Sequence, residues 1–156
     1  MVDQISDIDL GILLGLAYQG FTDELRATLA AQGFDDLGGA YGYVFRALSA
    51  DELSQRELAG RLGITDQGTA KILTEMVDRG YVERRADPDD ARVKRLRLAK
   101  RGRDALAAAR RFHAAFERRL VRDAGSAAVR SLRKTLELVA RANEPDDLAQ
   151  ARLRPT

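Results

Sequence analysis

Apolar positions recur at helical spacing along most of the chain. In residues 7–32, Ile8, Ile12, Leu16 and Gly20 share one face, and Leu13, Ala17, Phe21, Leu25 and Leu29, with Ile5 just before the range, widen it into a stripe. This pattern predicts a long amphipathic helix that Ser6 caps, with Asp9 three residues on, and that Gly33 ends. Leu37, Ala40, Tyr41, Val44, Phe45 and Leu48 predict a second helix over 37–48, weak at its start because of Gly38, Gly39 and Gly42. Then Ser54 and Glu57 form an S-x-x-E capping box ahead of Leu58, Ala59 and Leu62, and Gly63 stops that short helix. Thr65 caps the next one, whose apolar side is Ile72, Leu73, Met76 and Val77 and whose stop is Gly80. Two helices of about nine and about fourteen residues around a tight turn make a helix-turn-helix.

After Gly80 the period falls to two. Residues 81–85 predict a short strand, ADPDDA a turn around Pro88, and residues 93–98 a return strand. In the return strand Leu96 and Leu98 face one way, and Arg95 and Arg97 the other. Helical spacing then resumes over 100–122, lined by Leu106, Ala109, Phe112, His113, Phe116 and Leu120. Gly125 breaks this helix and Ser126 caps a last one, in which Val129, Leu132, Leu136 and Val139 step as in a helix packed along another helix. Residues 144–156 are expected to be a frayed tail. The fold class is mainly α, with a small β-hairpin behind a helix-turn-helix.

Charge sharpens this picture. Residues 1–55 hold 2 Lys/Arg against 9 Asp/Glu, a net −7, whereas residues 56–119 hold 17 against 10, a net +7. The rest adds +2, which is also the total for all 156 residues. A basic zone in the middle of the chain, between an acidic N-terminal part and a mixed C-terminal part, is an electrostatic footprint for a polyanion. Within it the acids Asp87, Asp89 and Asp90 form a knuckle flanked by bases.

Composition removes other functions. With no cysteine there is no disulfide, thiol nucleophile or thiolate metal site, and no metal or cofactor is expected. The sole histidine, His113, has no Asp or Ser near it in sequence, and no P-loop, G-x-G-x-x-G or H-E-x-x-H occurs, so an enzyme is not expected. No apolar run approaches a membrane span and the start lacks a basic signal region, which together predict a cytoplasmic protein.

Taken together, LSQRELAGRLGITDQGTAKILTEMVDRGYVERRADPDDARVKRLRLAKRG resembles the MarR family of winged-helix transcription regulators. Its most specific part is D-P-x-D-x-R followed by alternating strand residues and a glycine, here Asp87, Pro88, Asp90, Arg92, Leu96, Leu98 and Gly102. Ala99 stands where the family often has Thr, and Gly68 and Thr69 depart from its usual recognition-helix residues. The resemblance implies a homodimer, with residues 1–36 and 100–143 as the helical dimerisation region and 37–99 as the winged DNA-binding domain. It also implies binding to a pseudo-palindromic double-stranded operator, repression of a nearby gene, and release by a small aromatic effector.

The chemistry of the contacts follows. The helix after Thr65 would enter the major groove, where Gln67 suits adenine and Lys71 suits guanine. Thr65 would cap and touch phosphate, Gly68 would let the backbone approach, and Thr69 would offer its methyl to thymine or pack inward. In the wing, Asp90 is expected to hold the Arg92 guanidinium for a minor groove. Arg84, Arg85, Lys94, Arg95 and Arg97 are expected to position the wing on phosphates. Tyr18, Tyr41, Tyr43, Phe45, Phe112, His113 and Phe116 are the candidates for an effector pocket, with a plain core role as the alternative. The rival function is a winged-helix adaptor or anti-repressor that binds protein instead of an operator, and the basic wing argues against it.

Overall fold

The computed structural model describes residues 8–143. The chain divides into two compact units, residues 1–36 and 37–156. The described residues hold six helices and one three-stranded antiparallel sheet.

The first unit carries α1, Leu10–Ala30. Its N-cap is Asp9, which makes no side-chain capping bond. The helix therefore begins later than its apolar pattern suggests, and the expected cap Ser6 lies outside the described residues. Gly33 ends it as expected, at φ 89°, and the amide of Phe34 donates back to the carbonyl of Leu29. Most of the apolar stripe is open: Ile8, Leu10, Ile12, Leu13 and Leu16 are all exposed.

The second unit contains α2 (Tyr41–Leu48), β1 (Leu53–Ser54), α3 (Gln55–Leu62), α4 (Asp66–Asp78), β2 (Val82–Ala86), β3 (Lys94–Leu98), α5 (Lys100–Ala124) and α6 (Ser126–Asn143). The second helix starts at Tyr41 instead of residue 37. Gly38 and Gly39 make the helical state costly there, and the Tyr41 amide closes a turn onto the Gly38 carbonyl. The capping box forms in full: Ser54 Oγ accepts from the Glu57 amide, and Glu57 Oε2 accepts from the Ser54 amide. Gly63 and Gly80 stop α3 and α4 at φ 66° and 76°, which is left-handed backbone that only glycine adopts freely. Ser126 is the first residue of α6, not its cap; the Gly125 carbonyl accepts the Val129 amide.

The sheet order is β1-β3-β2. The two-residue β1 has no periodic signal, and it exists because Leu53 pairs opposite Leu96. Val82 stands opposite Leu98, so Leu53, Val82, Leu96 and Leu98 form one buried face. That face closes on Val44 and Leu48 of α2, Leu58 and Leu62 of α3, and Leu73 and Met76 of α4. The first half of α5 completes this core through Ala105, Ala108 and Phe112, packing on α2 and β3. The winged lobe therefore extends past residue 99 into α5.

Tyr81 is the joint. Its side chain is fully buried against Tyr41 and Phe45, with ring centroids 5.7 and 5.6 Å away, and the Arg101 guanidinium lies 4.4 Å above it. Its carbonyl accepts the Ala99 amide at 2.9 Å. A Cβ on Gly102 would stand 2.1 Å from that same carbonyl oxygen. Backbone cannot yield as a flexible side chain does, so Gly102→Ala is expected to cost about 1–3 kcal/mol or more. Urea unfolding checks this, and an unchanged midpoint would show that the turn into α5 is looser than the geometry implies.

Candidate nucleic-acid interface

The helix expected to read base edges is α4. Thr65 is its N-cap, its Oγ1 accepting the Gly68 amide at 3.0 Å. Asp66 follows in the first turn, where a carboxylate suits the positive helix end. Leu73 and Met76 point into the core, which turns Gln67, Lys71 and Thr74 outward together. Gln67 and Lys71 thus lie where the sequence puts them. Thr74, which pattern reasoning passed over, joins their face. Thr69 does not: it is 0 % exposed, and its hydroxyl donates to the Thr65 carbonyl at 3.0 Å. Of its two expected roles, inward packing is the one observed, because its position falls on the core side of α4.

The acidic knuckle works through a different residue from the one expected. Asp87 is its centre. One carboxylate oxygen accepts the amides of Asp89 and Asp90 at 2.8 and 3.3 Å, which is an Asx turn. The other accepts from Arg95 Nε at 2.6 Å. Asp90 in turn accepts the backbone amide of Arg92 at 3.0 Å. No ion pair joins the Asp90 and Arg92 side chains among the described residues, so Asp90 shapes the turn that carries Arg92 and does not hold its guanidinium. The Asp87 amide donates to the Val93 carbonyl and closes the loop.

The wing's bases fall into two groups. Arg85 pairs with Glu52, Arg97 with Glu83, and Arg95 with both Asp87 and Glu57. Arg84, Arg92 and Lys94 are exposed and have no ion-pair partner among the described residues. The first group lies on one strand face, at positions 85, 95 and 97. The alternation of Arg95 and Arg97 was legible in sequence, but the carboxylate partners come from other elements.

Charge pairing sets the local protonation. The Arg95 side chain, then the Asp89 amide, hold the Asp87 carboxyl below the usual aspartate value, and Asp87 correspondingly raises Arg95. Glu57 is likewise lowered, mainly by the Ser54 amide and hydroxyl, with Arg95 and Arg61 helping.

Residues 35–93 match the model of the MarR family. The chain is 31% identical over 116 residues to the exopolysaccharide II synthesis transcriptional activator ExpG of Rhizobium meliloti (strain 1021). That match covers 74% of this chain and 60% of the relative, so the chain spans less than two thirds of that protein's length. Among solved structures, the transcriptional repressor CouR, bound to a 23-mer DNA duplex, is 28% identical with a TM-score of 0.66, covering 90% of this chain and 98% of that one. Streptococcus pneumoniae FabT in complex with DNA has a TM-score of 0.70 at 20% identity, covering 88% and 99%, which speaks for the fold alone. This chain belongs to the MarR family.

In this MarR-family protein the expected effector residues differ in burial. Tyr41 and Phe45 are buried with Tyr81 and belong to the core; that is the alternative role, and helical spacing alone does not separate the two. Phe112, His113 and Phe116 follow one another on α5, with Phe112 about 6.1 Å from each of the other rings. Tyr18 lies in the first unit and is exposed, and Tyr43 is half-buried on α2. His113 keeps an exposed edge, yet neighbouring protein desolvates it, and with the Arg46 charge this holds its pKa below the ordinary histidine value.

A pH test follows from Asp87. An unfolded aspartate titrates near about 3.9, and the folded group lies lower. Between those values the unfolded chain holds more protons, so stability rises with pH. The contribution of Asp87 is therefore full above the unfolded pKa and is lost as pH falls through the folded one. Urea midpoints of wild type and Asp87→Asn, measured from pH 6 to 2.5, should differ at the top of this range and converge at the bottom. A constant difference would remove the ionised Asp87 from the account.

Proposed function

We propose that this MarR-family protein is a sequence-specific double-stranded DNA-binding transcription regulator that acts as a homodimer. The observation that carries the reading is a pairing of two surfaces in one lobe. A capped helix presents Gln67, Lys71 and Thr74 outward, and beside it a hairpin carries Arg84, Arg92 and Lys94, whose side chains have no ion-pair partner among the described residues. The helix suits base edges in a major groove, and the hairpin suits the phosphates and minor groove alongside. CouR, a 28% identical structural neighbour, is described as bound to a DNA duplex, which supports this use of the lobe. ExpG is an activator and CouR a repressor, so these likenesses support binding with either sign of regulation.

Homodimerisation is supported by apolar surface. Leu132, Leu136 and Val139 on α6 and Ile12 and Leu16 on α1 are all about half exposed, between 42 and 59 %. Soluble monomers seldom leave such spaced apolar rows uncovered. A palindromic site with two half-sites then matches a two-fold protein. Release by a small aromatic effector is the finer part of the reading, and Phe112, His113 and Phe116 are its remaining supports.

The experiment is an anisotropy titration against duplex DNA from upstream of the protein's own gene, at three salt concentrations. Binding should be tight and steeply salt-dependent, and a scrambled duplex should not match it. Lys71→Ala and Arg92→Ala should each weaken it about tenfold or more. Loss of one phosphate contact in each half-site should lower the salt slope by about two. Equal binding to scrambled DNA would favour the protein-adaptor reading instead. Sedimentation should give twice the chain mass, and Leu136→Asp should shift it to one; a monomeric wild type would remove the dimer.

A further inference from the structure

We propose that Arg95 is a positioning residue that fastens the wing tip to the start of α3, and that it makes no phosphate contact. For its consequence in DNA binding this rests on the reading above. Among the described residues, Arg95 is the one wing base that bridges two carboxylates from separate elements. Its Nε donates to Asp87 Oδ2 at 2.6 Å and its Nη1 to Glu57 Oε2 at 2.8 Å. Two of its five N–H donors are thereby committed to internal partners, and its side chain is 31% exposed. A phosphate approaching this guanidinium would also meet two carboxylates, whose repulsion offsets its attraction.

The two carboxylates are not idle surface groups. Glu57 Oε2 also accepts the Ser54 amide, so one oxygen serves both the cap of α3 and the wing. Asp87 Oδ1 organises the amides of Asp89 and Asp90, and Asp90 takes the amide of Arg92. A continuous hydrogen-bonded path therefore runs from the first turn of α3 through Arg95 to the residue at the wing tip. On the other side, the Gln55 side chain reaches the Asp66 carbonyl at the start of α4, at 3.4 Å. Both proposed DNA-facing parts are thus referenced to residues 54–57. A single exposed ion pair contributes little, but a planar fork held at two points adds to the strand ladder and the Arg85–Glu52 pair in restricting the hairpin. Restricting it before binding lowers the ordering cost at the moment of binding.

The test uses the full chain with Arg95→Gln, Arg95→Lys, Glu57→Gln and Arg92→Ala, and a duplex that wild type selects from a randomised pool. Glutamine at 57 can still serve a capping box, so this variant keeps the fold if Arg95→Gln does not. In the free protein, Arg95→Gln should speed amide exchange at residues 89–93 about tenfold, and Glu57→Gln, which leaves a neutral acceptor in place of a charged one, by less, with α4 amides unaffected. On DNA, Arg95→Gln should weaken binding about tenfold while the salt slope stays constant, since no phosphate contact is lost. Arg95→Lys, which keeps the charge but not the fork, should resemble Arg95→Gln. In the Arg92→Ala background Arg95→Gln should add little, because it acts through the tip.

A slope lowered by about two, with tip exchange unchanged, would make Arg95 a phosphate contact and overturn the proposal. So would rescue by Arg95→Lys, or full additivity with Arg92→Ala. If wild type selects no duplex, the DNA-binding reading fails by itself. Tip exchange then decides the clamp: acceleration at 89–93 supports it, and unchanged exchange defeats it.

Discussion

Tyr81 occupies the point where α4 ends, the wing begins, the wing returns and α5 departs. Its ring fills the space between Tyr41 and Phe45 under the Arg101 guanidinium, and its carbonyl takes the Ala99 amide. Gly102 has to be bare for that carbonyl to come so close. Arg101 further donates to the Arg79 carbonyl at the end of α4, and Arg79 reaches the Tyr41 hydroxyl at 3.0 Å. The direction of the outward face of α4, the root of the hairpin and the launch of α5 all depend on this junction. Aromatic burial supplies the energy, and the hydrogen bonds supply the angles.

The wing shows how one sort of residue serves two purposes. Its bases look alike in sequence, yet three of them neutralise carboxylates inside the lobe and three stay open to solvent. A hairpin built only of unpaired bases would repel itself and sample many shapes. Glu52, Glu57, Glu83 and Asp87 remove that repulsion on one strand face. The potential that remains is concentrated near the tip, at Arg92 and Lys94, and at Arg84 on the outer strand.

The helices outside the lobe core are incomplete in another sense. The α1 stripe and the α6 row are regular, the pattern of helix faces that pack against another surface. Within one chain much of this surface is open. The second half of α5, beyond Phe112, likewise buries little and carries Arg-rich exposed positions. A second copy is the cover that the proposed homodimer supplies.

The sequence by itself determined the local elements and the family. Periodicity, the Ser54–Glu57 box, the Thr65 cap and the glycine stops depend on neighbours within about four residues, so each was legible without the fold. So was the outward placement of Gln67 and Lys71, which follows from the apolar side of the same helix. The family was carried by D-P-x-D-x-R and the residues around it. Tertiary structure alone decided what depends on distant partners. β1 exists only because Leu96 lies opposite Leu53. Thr69 is hidden and Tyr41 and Phe45 are core because other elements close over them. Arg95 is held by a glutamate 38 residues away, and Asp90 meets a backbone amide instead of a guanidinium because Asp87 has already set the turn. Composition told which charges are present; only three-dimensional proximity told which of them are already spent.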